Sequence, residues 1–253
     1  MKVTILQRDI LWGDICANLT RTSEAVDACP GADLYVFPEM FTTGFCVEPE
    51  GVAESLEGET LRWMKSKAAQ TGAAMAGSVP VCHEGKYYNR FYFVKPDGTV
   101  TQYDKKHLFT YGGEHHHFTA GDKRVIVEWK GVRILLEICY DLRFPMWARN
   151  RKDYDMIIYV ASWPTPRVEA WKSLLTARAI ENQCFVAGVN RVGNDPSNQY
   201  CGGSRLIDPY GKIMAECEDG VEMAVTADID MEMLNAFREK FPVLNDADYE
   251  DFQ

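Results

Sequence analysis

The sequence has no pair of cysteines spaced CxxC, no long run of lysine and arginine, no apolar stretch as long as a membrane span, and no Pro/Gly/Ser-rich linker. Each absence removes a class of protein. The eight cysteines (16, 29, 46, 82, 139, 184, 201 and 217) are too scattered for a structural zinc site or a disulfide framework. They read as reduced thiols, most of them behaving as small buried hydrophobes. A formal net charge of −10 with no basic cluster to offset it repels phosphate backbones and anionic lipid, so nucleic acid and membranes are excluded as partners. The opening MKVTILQRDILW carries a short apolar run and no small-residue cleavage site, which points to a cytoplasmic location.

With neither repeats nor linkers, the 253 residues are expected to form a single domain, 1–253, a length that layered α/β folds often reach as one unit. Hydrophobic content of 46% with 25% charged residues suits an ordinary globular chain able to bury a large core. Apolar runs bounded by turn residues predict strands over 3–6, 33–37, 73–81, 90–94, 132–139, 156–161 and 184–189. Helical patterns lie between several of them, over 15–28, 55–70, 145–150 and 167–182. Alternation of strand and helix predicts an α/β fold. Pro96-Asp97-Gly98 inside 88–102 predicts an antiparallel hairpin, hence mixed sheets. The tail 245–253, acidic with two aromatics, reads as either a docking arm or a frayed end.

Chemistry concentrates where apolar runs stop at polar residues. In VRILLEICYDLRFP (132–145) a strand runs into Cys139 and then a proline-marked helix start. Strand ends are where open α/β sheets expose reactive groups, and a following helix N-terminus would favour a thiolate. An arbitrary cysteine is more often an inert core thiol, and a nucleophile needs a base or cation beside it. The five histidines, His83, His107, His115, His116 and His117, offer no clear orienting carboxylate for a Cys/His pair. DLYVFPEM (33–40) instead brings a strand to Glu39, which as a partly desolvated carboxylate can accept a thiol proton, or as a solvated loop residue cannot. YDKKHLF (103–109) supplies Lys105 and Lys106, either of which could stabilise a thiolate or oxyanion, or simply form a surface charge pair.

Together FPEM (37–40), DKKHLF (104–109) and ICYDLRFP (138–145) resemble the three signature blocks of the nitrilase superfamily in order and spacing. VASWP (160–164), LTARAIENQ (175–183) and GVNRV (188–192) are similar to its omega-amidase branch, so the likeness spans nearly the whole chain. The resemblance implies a four-layer α-β-β-α sandwich with mixed sheets and a Glu39–Lys105–Cys139 triad: base, oxyanion cation and nucleophile. It selects Lys105 over Lys106, because the family's lysine lies two residues before the histidine. Glu114 is similar to the family's second glutamate, with a positional role. The run His115–His116–His117 would belong to a loop, since the family uses no metal and the chemistry needs no cofactor. Similar proteins form homodimers or larger assemblies.

On this resemblance the substrate is a small 2-oxo dicarboxylate monoamide, 2-oxoglutaramate or 2-oxosuccinamate. Cys139 attacks its terminal amide to form a thioester, with Lys105 and the Tyr140 backbone N–H on the oxyanion. Arg143, four residues past Cys139, suits bidentate binding of a carboxylate, with pairing to Asp141 or another carboxylate of the chain as the alternative. Trp163 is expected as a pocket wall or a core residue. An N-carbamoyl amide or a nitrile would fit the same triad, and a non-catalytic nitrilase-like scaffold is the reading from outside enzymology. Glu137, two residues before Cys139 and expected on the same strand face, is either paired locally or tunes the site.

Overall fold

The computed structural model describes residues 1–247. Residues 248–253 of the acidic tail lie outside the described residues. The chain runs β1 (Lys2–Gln7), α1 (Ile15–Asp27), β2 (Leu34–Val36), α2 (Glu59–Thr71), β3 (Ala74–His83), β4 (Lys86–Val94) and β5 (Val100–Asp104). It continues through β6 (Ile126–Trp129), β7 (Val132–Ile138), α3 (Pro145–Ala148), β8 (Met156–Ala161), α4 (Val168–Asn182) and β9 (Phe185–Asn190). The last part holds β10 (Val192–Asn194), β11 (Gln199–Cys201), β12 (Arg205–Ile207), β13 (Ile213–Glu216), β14 (Met223–Asp228) and α5 (Met231–Lys240).

Two six-stranded mixed sheets form, in the orders β14-β1-β2-β3-β4-β5 and β13-β12-β9-β8-β7-β6, with β10 and β11 as a separate pair. Strand alternation builds the layers. Val3, Ile5, Leu34, Val36 and Ala76 face Ile134, Leu136, Ile138, Ile158 and Val160 across the space between the sheets. Their sequence neighbours point the other way. Leu6, Tyr35 and Met75 pack on Leu19, Val26, Leu61 and Met64 of α1 and α2, while Leu135, Ile157 and Tyr159 pack on Trp171, Leu175 and Ala179 of α4. Both faces of each inner strand are therefore buried, which is why the runs read as continuous apolar stretches. The result is the α-β-β-α sandwich that the family resemblance implies.

Several boundaries differ from those predicted. The helix expected from 55 starts at Glu59, because the backbone of Glu54 pairs with Pro80 and Cys82 of β3 and the chain then makes a turn, closed by the Gly58 N–H on the Ser55 carbonyl, before the helix begins. β3 and β4 form a long hairpin closed by Glu84 and Gly85, both at positive φ (50° and 72°), as a two-residue turn of the mirror-image type requires. The helix predicted over 145–150 shrinks to the four residues of α3, because Arg149 leaves helical geometry (φ −55°, ψ 126°) and the Asn150 N–H donates to Asn182 of α4 at 2.9 Å instead. Strands β6 and β10 to β14 and helix α5 were not anticipated.

One contact ties the loop before β6 to the end of β5. Gly121 donates its N–H to the Lys105 carbonyl at 2.9 Å, and a Cβ added at Gly121 would stand 2.2 Å from the Asp104 carbonyl oxygen. The obstruction is backbone, so Gly121→Ala must displace the Asp104–Lys105 peptide. The expected loss is about 1–3 kcal/mol of unfolding free energy in urea; unfolding identical to wild type would mean that this peptide yields freely.

Candidate active site

Four strand ends converge on one cleft. The chain leaving β2 carries Glu39, the residue after β5 is Lys105, the residue after β7 is Cys139, and the residue after β8 is Ser162. All four line a cleft of about 490 Å³, together with Tyr140, Arg143, Trp163 and Arg167. Binding at the carboxyl ends of parallel strands is the general habit of open α/β sheets.

Lys105 lies at the centre and is fully buried. Its Nζ donates to Glu39 Oε1 at 2.9 Å and to Glu114 Oε2 and Oε1 at 2.8 and 3.1 Å. Burial opposes its charge, but Glu114 and then Glu39 outweigh that and hold the ammonium above the ordinary lysine range. Asn89 joins the two carboxylates, donating to Glu39 at 2.8 Å and to Glu114 at 3.2 Å. The remaining oxygens are also met, Glu39 Oε2 by the Ser162 N–H at 2.9 Å and Glu114 Oε2 by the Phe109 N–H at 2.6 Å. Burial pushes Glu114 up, against the pull of Lys105. Lys106 points elsewhere, its Nζ 5.3 Å over the Trp147 ring.

Cys139 sits at φ +45°, a left-handed conformation that a non-glycine residue adopts only under constraint. The constraint is Asp141. Its Oδ2 accepts from the Ile138 N–H at 3.0 Å and from the Tyr103 hydroxyl at 2.7 Å. Its Oδ1 accepts from the His107 N–H at 2.9 Å and lies 2.8 Å from His107 Nδ1. The turn at Cys139 is thus fastened to the segment bearing Lys105. The thiol is pushed well up, first by burial and then by the nearby Glu39 carboxylate, against the pull of Lys105. This corrects the expectation of a helix-stabilised thiolate. The turn is 3₁₀ and short, and the resting sulfur keeps its proton.

Arg143 does not pair with Asp141, whose oxygens are already taken; its guanidinium lies 4.9 Å over Trp163. Trp163 is both wall and core. It lines the cleft, yet is packed at 5.4 Å from Trp171 and hydrogen-bonded through Nε1 to the Arg167 carbonyl. Tyr140, next to Cys139, also lines the cleft. His115, His116 and His117 are exposed, and among the described residues no group of three or more His, Cys, Asp or Glu could hold a metal ion. Asn89, Asp141, Ser162 and Arg167 were missed from the sequence. Asp141 had a visible signal inside CYDLRFP, and Asn89 one as a polar residue entering an apolar strand.

A statistical model of the family described as carbon-nitrogen hydrolase matches residues 2–239. The chain belongs to that family. It is 49% identical over 250 residues to omega-amidase YafV of Escherichia coli K12, covering 98% of this chain and 97% of the relative. A 2-oxoglutaramate amidase of Bacillus subtilis strain 168 is 38% identical, with 97% and 98% covered. Among solved structures, XC1258 of Xanthomonas campestris, a CN-hydrolase superfamily protein with an arsenic adduct in its active site, is 41% identical and superposes with a TM-score of 0.95 over 98% of this chain and 97% of its own.

Glu137 departs from its expected place. It is fully buried, does not line the cleft, and pairs across the sheet with Tyr159 under α4. Neither of its carboxyl oxygens meets a donor, and its neighbour is the Asp141 carboxyl, so the contact is tolerable only when Glu137 carries a proton. Burial and then Asp141 hold it well above the usual carboxylate range, against Arg124 and Arg178. A folded-state pKa above the unfolded one means that the native state binds the extra proton. Stability from this group is therefore intact below about pH 4.3, the unfolded value for glutamate, and is lost as pH rises toward the folded pKa. Glu137→Gln removes that slope: the melting-temperature difference, variant minus wild type, should grow from pH 4.5 to pH 8, and a pH-independent difference would contradict it.

Proposed function

We propose that the protein is an omega-amidase, hydrolysing the terminal amide of 2-oxoglutaramate, and of 2-oxosuccinamate, to the 2-oxo acid and ammonia. The observation that carries the reading is the buried Glu39–Lys105–Glu114 cluster meeting the protonated Cys139 thiol in a cleft that also presents Arg143. The names of the YafV and Bacillus subtilis relatives favour the same substrate class.

In this reading Glu39 is the general base and Cys139 the nucleophile. As Cys139 Sγ attacks the amide carbon, its proton passes to Glu39, and the negative charge moves to the carbonyl oxygen beside Lys105 and the Tyr140 N–H. Because the thiol is held protonated, the transfer accompanies attack rather than preceding it. Glu39 then protonates the leaving nitrogen, ammonia departs, and a thioester remains. Water attacks that thioester as Glu39 takes its proton; collapse releases the acid and returns the proton to sulfur. Glu114 keeps Lys105 charged and in place. Arg143, braced on Trp163, holds the substrate carboxylate, and no cofactor or metal takes part.

We further read residues 1–253 as one catalytic unit working in the cytoplasm as a homodimer or larger assembly. Among the described residues no helix is long and apolar enough to cross a membrane. Exposed Tyr210 packs against Phe237, ring centroids 4.0 Å apart, beside exposed Phe241, which offers apolar surface for a second copy.

The test is ammonia release from 2-oxoglutaramate beside glutamine, a nitrile and an N-carbamoyl amino acid. Selective release from the 2-oxo amide is expected, abolished in Cys139→Ala and reduced by about 10²–10⁴ in Glu39→Gln, the usual contribution of a general base. Preference for another member of the panel would move the substrate, and normal turnover by Glu39→Gln would overturn the mechanism. Arg143→Lys, which keeps the charge but loses the planar fork, should raise KM more than it lowers kcat.

A further inference from the structure

The cleft is lined by three cations, and only one of them is engaged by carboxylates. Lys105 is held between Glu39 and Glu114, whereas among the described residues neither Arg143 nor Arg167 forms an ion pair. Other arginines, such as Arg90, Arg133 and Arg178, hold carboxylates at 2.6–2.9 Å. The two cleft guanidiniums are braced on aromatic rings instead. Arg143 lies 4.9 Å over Trp163, and Arg167 lies 5.5 Å from the Phe109 centroid and 6.0 Å from that of Tyr111. The Arg167 carbonyl also accepts the Trp163 indole N–H at 2.7 Å, so the supports of the two arginines are joined. Stacking holds a guanidinium plane while leaving its edge N–H groups free, which lowers the ordering cost of binding an anion.

The acids on the cleft do not account for both cations. Asp195 is occupied by the Tyr200 hydroxyl and by the N–H groups of Ser197 and Asn198. Glu48 is exposed and makes no ion pair among the described residues. Two braced, unpaired guanidiniums facing one cleft call for an anion with more acceptor positions than a single fork can satisfy. A 2-oxo acid has that form: two carboxylate oxygens and an adjacent 2-oxo oxygen that can lie in one plane. A 2-amino acid places an ammonium where the 2-oxo oxygen would be, and two nearby cations repel it.

We propose that Arg167 is a specificity-determining residue, completing with Arg143 a two-guanidinium clamp for the 2-oxo carboxylate end of the substrate. The proposal rests on the amidase reading above and adds a substrate contact that neither the motifs nor the spacing around Cys139 indicated.

Two measurements test it on wild type, Arg167→Ala, Arg167→Gln and Arg167→Lys. The first is the ratio of kcat/KM for 2-oxoglutaramate to that for pentanamide, a neutral amide of the same chain length. It should fall about ten- to a hundredfold in the Ala and Gln variants, the usual range for a lost hydrogen bond to a charged group, with partial recovery in Lys. The second is protection of Cys139 from iodoacetamide by 2-oxoglutarate at fixed pH, followed by the mass of the Cys139 peptide. The half-protecting concentration should rise by a similar factor in the Ala and Gln variants. Failure of wild type to hydrolyse 2-oxoglutaramate would defeat the amidase reading while the protection measurement still judged the clamp. Absence of protection in wild type, or equal protection in wild type and both variants, would overturn the clamp whatever amide is hydrolysed.

Discussion

A fully buried ammonium is the constraint around which this cleft is organised. Lys105 has no solvent to hold its charge, and the effective penalty for burying an unpaired ion is several kcal/mol. It persists because Glu39 and Glu114 flank it, and those carboxylates are tolerable in turn because Asn89, Ser162 and Phe109 donate to them. Removal of Lys105 would leave two buried carboxylates without their cation, and breaking a buried pair typically costs about 3–5 kcal/mol. The cluster couples both sheets. Glu39 follows β2, Asn89 lies in β4 and Lys105 follows β5 of the first sheet, while Ser162 and Cys139 come from β8 and β7 of the second.

The same electrostatics explain why the sulfur rests as a thiol. One lysine faces two carboxylates, so the neighbourhood of Cys139 is not cationic on balance, and burial adds to the cost of a thiolate. A thiol held protonated beside a carboxylate is suited, in the proposed mechanism, to giving up its proton as it attacks. It is also protected from adventitious oxidation, which follows thiolate character. The left-handed turn at Cys139 and the Asp141 network that enforces it belong to this design, since they bring sulfur to Glu39 and tie its turn to the Lys105 segment.

Much of this was legible in the sequence, for identifiable reasons. Glu39 and Cys139 each end an apolar run, Lys105 was one of two lysines until the resemblance chose between them, and the three blocks carry the family resemblance, so the layered fold and the members of the central cluster could be expected together. Glu114 was reached through resemblance alone. Ser162 and Arg167 were not visible, because each acts through a hydrogen bond or ring contact with a residue far away in the chain. The region after residue 190 was also opaque. Its strands are three to six residues long, and Gly193, Gly202 and Gly203 at positive φ interrupt the alternation that periodicity depends on. Glu137 misled for a local reason: the strand ends at Ile138 and the chain turns, so spacing by two no longer puts Glu137 and Cys139 on one face.

The central claim is that Cys139 keeps its proton until Glu39 takes it during attack. The most direct measurement is the rate of Cys139 alkylation by iodoacetamide as a function of pH, read from the Cys139 peptide so that the other thiols do not interfere. The rate should stay low through neutrality and keep rising above pH 8.5, where an ordinary thiol would already be half ionised. A fast plateau by pH 7 would reveal a preformed thiolate and contradict the account.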